Sequence, residues 1–395
     1  MMGGFHMAKA AMHCIGKYLK GCGIEDAFVE TETFGIKVAE SVTQGSHYVR
    51  AFRGLLIAAE AVESMKWDAF WTVQDRSNYE HEQNVLFDLL SSLKDKDPLI
   101  SKFHFQRCLE NQQLMSDFKE FSKQACENSD MCRYLEGLIE NVTHLKTLIA
   151  ADREGDWEGH LLAVQNLLPI FRECDSINYL RYATLYLETM RRLPDDHPEI
   201  YEKFKAGHFV VNESKRAFSA VSPDMKLEQT IQRSQKSSSG IIGQTRQVSY
   251  VSEWEVVYHE ILSISNAFRN LTHSNLGTRE SEVHHELEGN YAKSFNTQVK
   301  NVLDFLTAHG NPYLLENRPK LHNFVTSVCA PSAVSECLIN FYKHGKELYE
   351  SFRNERFVEK SRKLSDTIKK VNLPEFVPKP KGKTKRKQIN SDTVL

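Results

Sequence analysis

The 395-residue chain contains no apolar run near the roughly 18–20 residues that a membrane-spanning helix needs. Its opening, Met1-Met2-Gly3-Gly4-Phe5-His6, has no basic stretch followed by an apolar block, so no signal peptide is expected. None of the eight cysteines forms a C-x-x-C pair, and at this length an even count is not a disulfide framework. Reduced thiols of an intracellular protein are the expectation. A phosphate-cradling G-x-x-x-x-G-K-[ST] loop and a G-x-S-x-G nucleophile elbow are both missing. The glycines of Ser239-Gly240-Ile241-Ile242-Gly243 have neither the lysine nor a preceding strand, and read as a connector. Paired metal ligands are lacking too. His284 and His285 are adjacent and so fall on different helix faces, and Tyr258-His259-Glu260 lacks the second histidine of a zinc helix. Nor is there an excess of either charge: 50 Lys and Arg oppose 52 Asp and Glu, for a net charge of −2, which excludes a histone-like protein or an acidic disordered chain.

What the sequence does have is helical periodicity. Met12, Ile15 and Leu19 share a face in a helix from about Phe5, and Gly21-Cys22-Gly23 ends it. Such a start reads either as an ordinary N-terminal helix or as a chain that begins partway through a larger ancestral fold. Residues 47–71 carry Val49, Phe52, Leu55, Leu56, Ala59, Val62 and Trp67 as an amphipathic stripe. Further stripes are predicted at 82–94, 100–125, 131–150, 157–171 and 179–192. The strongest strand candidate is Gly207-His208-Phe209-Val210-Val211. Ser222 followed by Pro223 signals a helix from Asp224 to about Lys236, with Ser222 as N-cap. A helix over 250–270 should bury Trp254, Val257, Ile261, Ile264 and Phe268, and helical pattern returns at 282–308 and 331–371. From Leu373 onward three prolines and a basic run predict disorder. The predicted class is mainly α: a multi-helix body with a small β-containing remnant near residues 207–221.

Charge is uneven along the chain. Residues 212–246 hold six basic and three acidic side chains, including Lys215, Arg216, Arg233, Lys236 and Arg246 around Glu228. Cations and amides flanking one carboxylate suit a surface that handles phosphodiesters, where Lys and Arg hold backbone phosphates. The alternative is an amphipathic helix with a solvated face. The tail Lys379-Pro380-Lys381-Gly382-Lys383-Thr384-Lys385-Arg386-Lys387 reads as a nuclear-import signal, a phosphate contact or a solubilising tail.

The run D-M-x-L-E-Q-T-I-x-R-S-x-K-S-x-x-G-I-I-G from Asp224 resembles a block in transposon-derived eukaryotic proteins that look like relatives of cut-and-paste transposases. So do Asp152-Arg153-Glu154-Gly155-Asp156-Trp157-Glu158-Gly159-His160-Leu161, Asn178-Tyr179-Leu180-Arg181-Tyr182 and Phe209-Val210-Val211. The resemblance extends over residues 3–275. It implies a ribonuclease-H-like core split by a helical insertion, with three acidic residues that hold two divalent metal ions about 4 Å apart. Glu228 matches the last carboxylate. The second falls in Gly3-Gly4-Phe5-His6, where this chain has Gly4, and the first would lie upstream of Met1.

The resemblance divides the chain into a helical remnant of an upstream core (1–28), an insertion-like helical domain (29–206), a core-like remnant (207–275), a C-terminal helical region (276–371) and a disordered basic tail (372–395). The functional expectation is a catalytically incomplete transposase-like protein, nuclear, with no cofactor unless an upstream acidic residue completes a Mg²⁺ site. Its candidate DNA contacts are Lys215, Arg216, Arg233, Lys236, Arg246, Lys383, Lys385, Arg386 and Lys387. Two alternatives stay open: a helical protein-interaction module, and a metal-dependent nuclease built on Asp152, Asp156 and Glu158. Those three acids equally fit a helix start, where carboxylates oppose the helix dipole.

Overall fold

The computed structural model describes residues 3–84, 113–213, 217–229, 247–272, 289–314 and 320–376. Helices α1 (Gly4–Leu19), α2 (Ile24–Glu30), α3 (Ile36–Thr43) and α4 (Tyr48–Val73) come first. They are followed by α5 (Gln113–Asn128), α6 (Asp130–Glu154), α7 (Trp157–Glu173) and α8 (Ile177–Arg191), then, past short helical turns at Leu193–Asp196 and Pro198–Lys203, by the short α9 (Pro223–Leu227). The last four are α10 (Val248–Leu271), α11 (Gly289–Ala308), α12 (Ser332–Ile339) and α13 (Phe341–Arg353). The protein is mainly α, as its periodicity predicts.

Helix α1 is central because it is small. Ala8, Ala10, Ala11 and Gly16 let neighbouring backbones come close, and a Cβ at Gly16 would collide with the Thr43 carbonyl of α3. Its far end is locked to α6 by a reciprocal pair. Tyr18 donates its hydroxyl to the Tyr134 carbonyl (2.7 Å), Tyr134 donates to the Tyr18 carbonyl (2.9 Å), and the rings stack at 4.6 Å. Helices α6 and α7 form a tight hairpin. Gly155 closes α6 at φ 73°, a left-handed turn that suits glycine, and Asp156 starts α7 by accepting from the Gly159 N–H at 3.0 Å. Helix α13 lies on α7 through Gly345, where a Cβ would meet the Pro169 carbonyl. A satellite aromatic cluster joins α4 to α5, with Trp67 stacked 3.6 Å from Phe118 beside Phe70 and Tyr79.

Several expected features take another form. In α4 the buried seam is Ala51, Leu55, Ala58, Val62, Met65 and Ala69, whereas Val49 is 59% exposed and Phe52 and Leu56 are half-buried. The strand expected at 207–211 is absent. Gly207, at φ 89°, ends a helical turn, Phe209 packs on Trp157, and Val211 makes a single antiparallel bridge to Val221. With no second strand beside them, these valines cannot extend a ladder. The helical pattern over 331–371 stops earlier, at Arg353 with one further turn to Val358. Beyond it, residues 359–376 run irregularly over the body: Arg181 donates to the Asp366 carbonyl (2.7 Å), Arg172 to that of Lys369 (2.9 Å), and Asp175 accepts from the Val371 and Asn372 N–H groups. Residues 373–376 are therefore ordered, contrary to the expected tail, and Phe376 is buried. Of the residues helix α10 was expected to bury, Val257, Ile264 and Phe268 are exposed and Trp254 is half-buried, and the Ile261 side chain lies outside those described.

Candidate functional site

Two segments far apart in sequence meet at the N-terminus of α1. The first turn of a helix leaves backbone N–H groups without intrahelical partners, and these attract a carboxylate. Asp224, on α9, supplies one. It accepts from the Phe5 N–H (3.3 Å) and the His6 N–H (3.0 Å), and its Oδ2 lies 2.8 Å from the His6 imidazole Nδ1. The other ring nitrogen of His6 is 3.8 Å from Glu228 Oε1. The absence of side chains at Gly3 and Gly4 is what permits this approach. A Cβ on Gly3 would collide with the Asp224 side chain, and a Cβ on Gly4 would collide with the Asp152 carboxylate and crowd Ser222 Oγ.

Asp152 is the hub of the second half of the site. It lies near the C-terminal end of α6 and is only 6% exposed. Ser222 donates its hydroxyl to Oδ2 at 2.5 Å, and His160 of α7 bonds Oδ1 through Nδ1 at 2.7 Å. A proton on Nδ1 leaves His160 Nε2 to accept from the Tyr186 hydroxyl of α8, 3.1 Å away. Burial first, and the Asp152 carboxylate second, push the Tyr186 phenol well above its usual range, so it keeps the proton it donates. Tyr179 nearby is raised by burial and then by Asp224. Removing the end of this relay with Tyr186→Phe should cost about 1–2 kcal/mol, read as a lower denaturation midpoint, because a buried imidazole nitrogen loses its donor.

The serine, carboxylate and histidine stand in the wrong order for acyl transfer. Ser222 bonds the carboxylate and not the imidazole, so no base is placed to take its proton and pass it on. Two divalent cations do not fit either. Both oxygens of Asp152 and both of Asp224 already answer to protein donors, and position 4, where the resemblance implies a carboxylate, is filled from outside by Asp152. Among the described residues no group of three or more metal-ligating side chains assembles.

Beside this cluster lies a cavity of about 300 Å³ between α4, α6, α9 and α11. Tyr48, Phe52, Leu56, Ile149 and Phe295 are among its apolar lining residues, and Asp152 and Ser222 among the polar ones. Arg53 joins α4 to α11 there. Its guanidinium lies 4.0 Å over the Tyr291 ring and donates to Gln298 Oε1 at 2.9 and 2.7 Å.

The sequence-predicted site residues divide sharply. Glu228 lies beside His6, its Oε1 3.8 Å from the imidazole Nε2. Lys215, Arg216, Arg233, Lys236, Arg246, Lys383, Lys385, Arg386 and Lys387 lie outside the described residues. The trio Asp152, Asp156 and Glu158 is not one group. Asp156 caps α7, Glu158 accepts from the Tyr201 hydroxyl at 3.1 Å, and only Asp152 belongs to the site. Ser222 precedes α9 as expected, yet its hydroxyl serves Asp152 and does not cap the helix. His6, His160, Tyr186 and Asp224 were not singled out by sequence. A signal existed for one pair: Asp152 and His160 bracket the quoted block 152–161, and an αL turn at Gly155 brings them face to face.

A family described as a domain of unknown function, DUF8702, matches residues 1–395. The chain belongs to this family. No curated protein and no solved structure matches it. For this DUF8702 chain, the site's donors and acceptors therefore carry the functional reading. They describe a structural junction that pins α1, α6, α7 and α9 together, next to an apolar cavity.

Proposed function

We propose that the protein is a catalytically incomplete, transposase-like protein that associates with DNA and acts in the nucleus. The observation that supports this most is the return of the chain to its own beginning. The N–H groups of Phe5 and His6 are bound by Asp224, 219 and 218 residues later, with the helical body between them. A helical insertion that leaves and re-enters a split core has this connectivity. The same contacts account for the missing activity, since the carboxylates that would hold metal ions hold a helix terminus, a histidine and a serine instead. The basic residues that flank α9, Lys215, Arg216, Arg233, Lys236 and Arg246, are the contacts proposed for the phosphate backbone, with the tail cations adding to them and directing nuclear import.

Fluorescence anisotropy with a labelled duplex tests this reading. About five phosphate contacts should lower the affinity roughly 10²- to 10³-fold between about 50 and 200 mM salt. An affinity unchanged by salt would rule the DNA reading out. Incubation with Mg²⁺ should leave the duplex uncut. A second reading, a helical interaction protein without a nucleic-acid role, is favoured by the apolar face that α10 leaves exposed.

A further inference from the structure

Part of the apolar stripe of α4 faces open space. Val49, Phe52 and Leu56 follow one another at helical spacing, yet Val49 is exposed and the other two are only half-buried. Tyr291 and Phe295, four residues apart on α11, are half-buried as well. All five side chains line the cavity of about 300 Å³ beside Asp152. Val49, Ala292 and Asn296 are exposed members of the lining, so the cavity opens to solvent between α4 and α11. Apolar and aromatic walls with a few polar groups, in a space near the lower end of about 300–1,000 Å³, are the build of a small-molecule pocket.

The charged groups at this cavity favour a ligand with one negative charge. Asp152 is the one acid among the lining residues, and both of its oxygens already accept from Ser222 and His160. Arg53 and Arg153 are cations in the same lining. Arg53 donates through Nε and Nη2 to Gln298 and Ser294, but its buried Nη1 has no hydrogen-bond partner. A buried donor left over in this way is a standing cost that an incoming acceptor relieves.

We propose that this cavity binds a small aromatic monocarboxylate, with its ring among Phe52, Leu56 and Phe295 and its carboxylate toward Arg53. The inference does not depend on the DNA reading. The aromatic side chains of the lining, Tyr48, Phe52, Tyr291 and Phe295, favour a ring over an alkyl chain through stacked and edge contacts. An organic cation is the poorer occupant. The Arg53 guanidinium already lies 4.0 Å over the Tyr291 ring and 5.6 Å from the Phe295 ring, where such a cation would seek its partners. A neutral ligand would leave the Nη1 donor without a charged acceptor, and a second anionic group would be desolvated against apolar walls.

Calorimetric titration of the full-length chain with 2-naphthoate, and with the neutral 2-naphthalenemethanol, decides it. The acid should bind saturably at one site, about tenfold tighter than the alcohol, the worth of a hydrogen bond to a charged group. Arg53→Gln should abolish that preference. Both ligands are measured on the same variant, so a general loosening of the fold would weaken them alike and leave the ratio intact. Leu56→Trp fills the space and should remove binding of both. If Leu56→Trp unfolds the chain, Val49→Trp decides in its place, because this exposed side chain can narrow the mouth without entering the core. No heat from 2-naphthoate overturns the proposal, as does equal affinity for acid and alcohol. It also fails if the preference survives Arg53→Gln, or if a folded tryptophan variant binds as wild type does.

Discussion

Asp152→Ala should lower the unfolding free energy by about 3–5 kcal/mol, the cost of breaking a buried polar pair by removing one partner. The side chain is almost wholly buried and joins three separate elements: α6, on which it sits, α7 through His160, and the segment before α9 through Ser222. Alanine would leave the His160 Nδ1–H and the Ser222 hydroxyl facing a gap with no acceptor, each at a cost of about 1–3 kcal/mol. Asp152→Asn keeps the shape and one acceptor oxygen, so it should cost less, about 1–3 kcal/mol. Ser222→Ala removes a single hydroxyl and should cost least of the three. Denaturant midpoints at constant m-value provide the measurement. An Asp152→Ala chain as stable as wild type would mean that the hub holds nothing together.

The same hub shows what the sequence could and could not disclose. Helix positions were legible because period and punctuation agreed: Gly21 and Gly23 end α1, Gly155 separates α6 from α7, and Pro223 opens α9. Which face each helix buries was less so. In α4 the seam is built on alanines at 51, 58 and 69, because the packing demand there is close backbone approach, while the larger Val49 points to solvent. Hydrophobicity alone ranks those residues the other way. In α10 the period was read correctly, but Val257, Ile264 and Phe268 are exposed, since period alone does not say what a helix face meets. The valines near 210 resembled a strand by composition, but a strand needs a neighbour, and among the described residues Val211 pairs only with Val221. Near the junction, Glu228 and Gly4 were named only on the strength of the resemblance. Asp224 and His160 were not, because their role is defined by a helix terminus and a carboxylate more than 200 residues away in one case and across a turn in the other. Contacts of that kind appear in no local pattern.

Gly4→Asp should be the most damaging single change at the site, costing about 3–6 kcal/mol. Two effects oppose each other. A carboxylate in the first turn of a helix ordinarily gains about 0.3–1 kcal/mol from the helix dipole. Here that gain is already taken, because Asp224 accepts from the Phe5 and His6 N–H groups. What remains is cost: the new Cβ occupies the place of the Asp152 carboxylate, and a second negative charge is forced beside it in a buried position. Gly4→Ala carries the collision without the charge and should cost about 1–3 kcal/mol, so the difference between the two variants isolates repulsion and desolvation. The double variant Gly4→Asp/Asp152→Gly moves the carboxylate from α6 to α1 and empties the space the new side chain needs. If Asp152 and position 4 compete for one place, the double variant should be more stable than the sum of the single losses by about 1–3 kcal/mol. Strict additivity of the two losses would show that Gly4 is glycine for some other reason, and that the site does not exclude a carboxylate there.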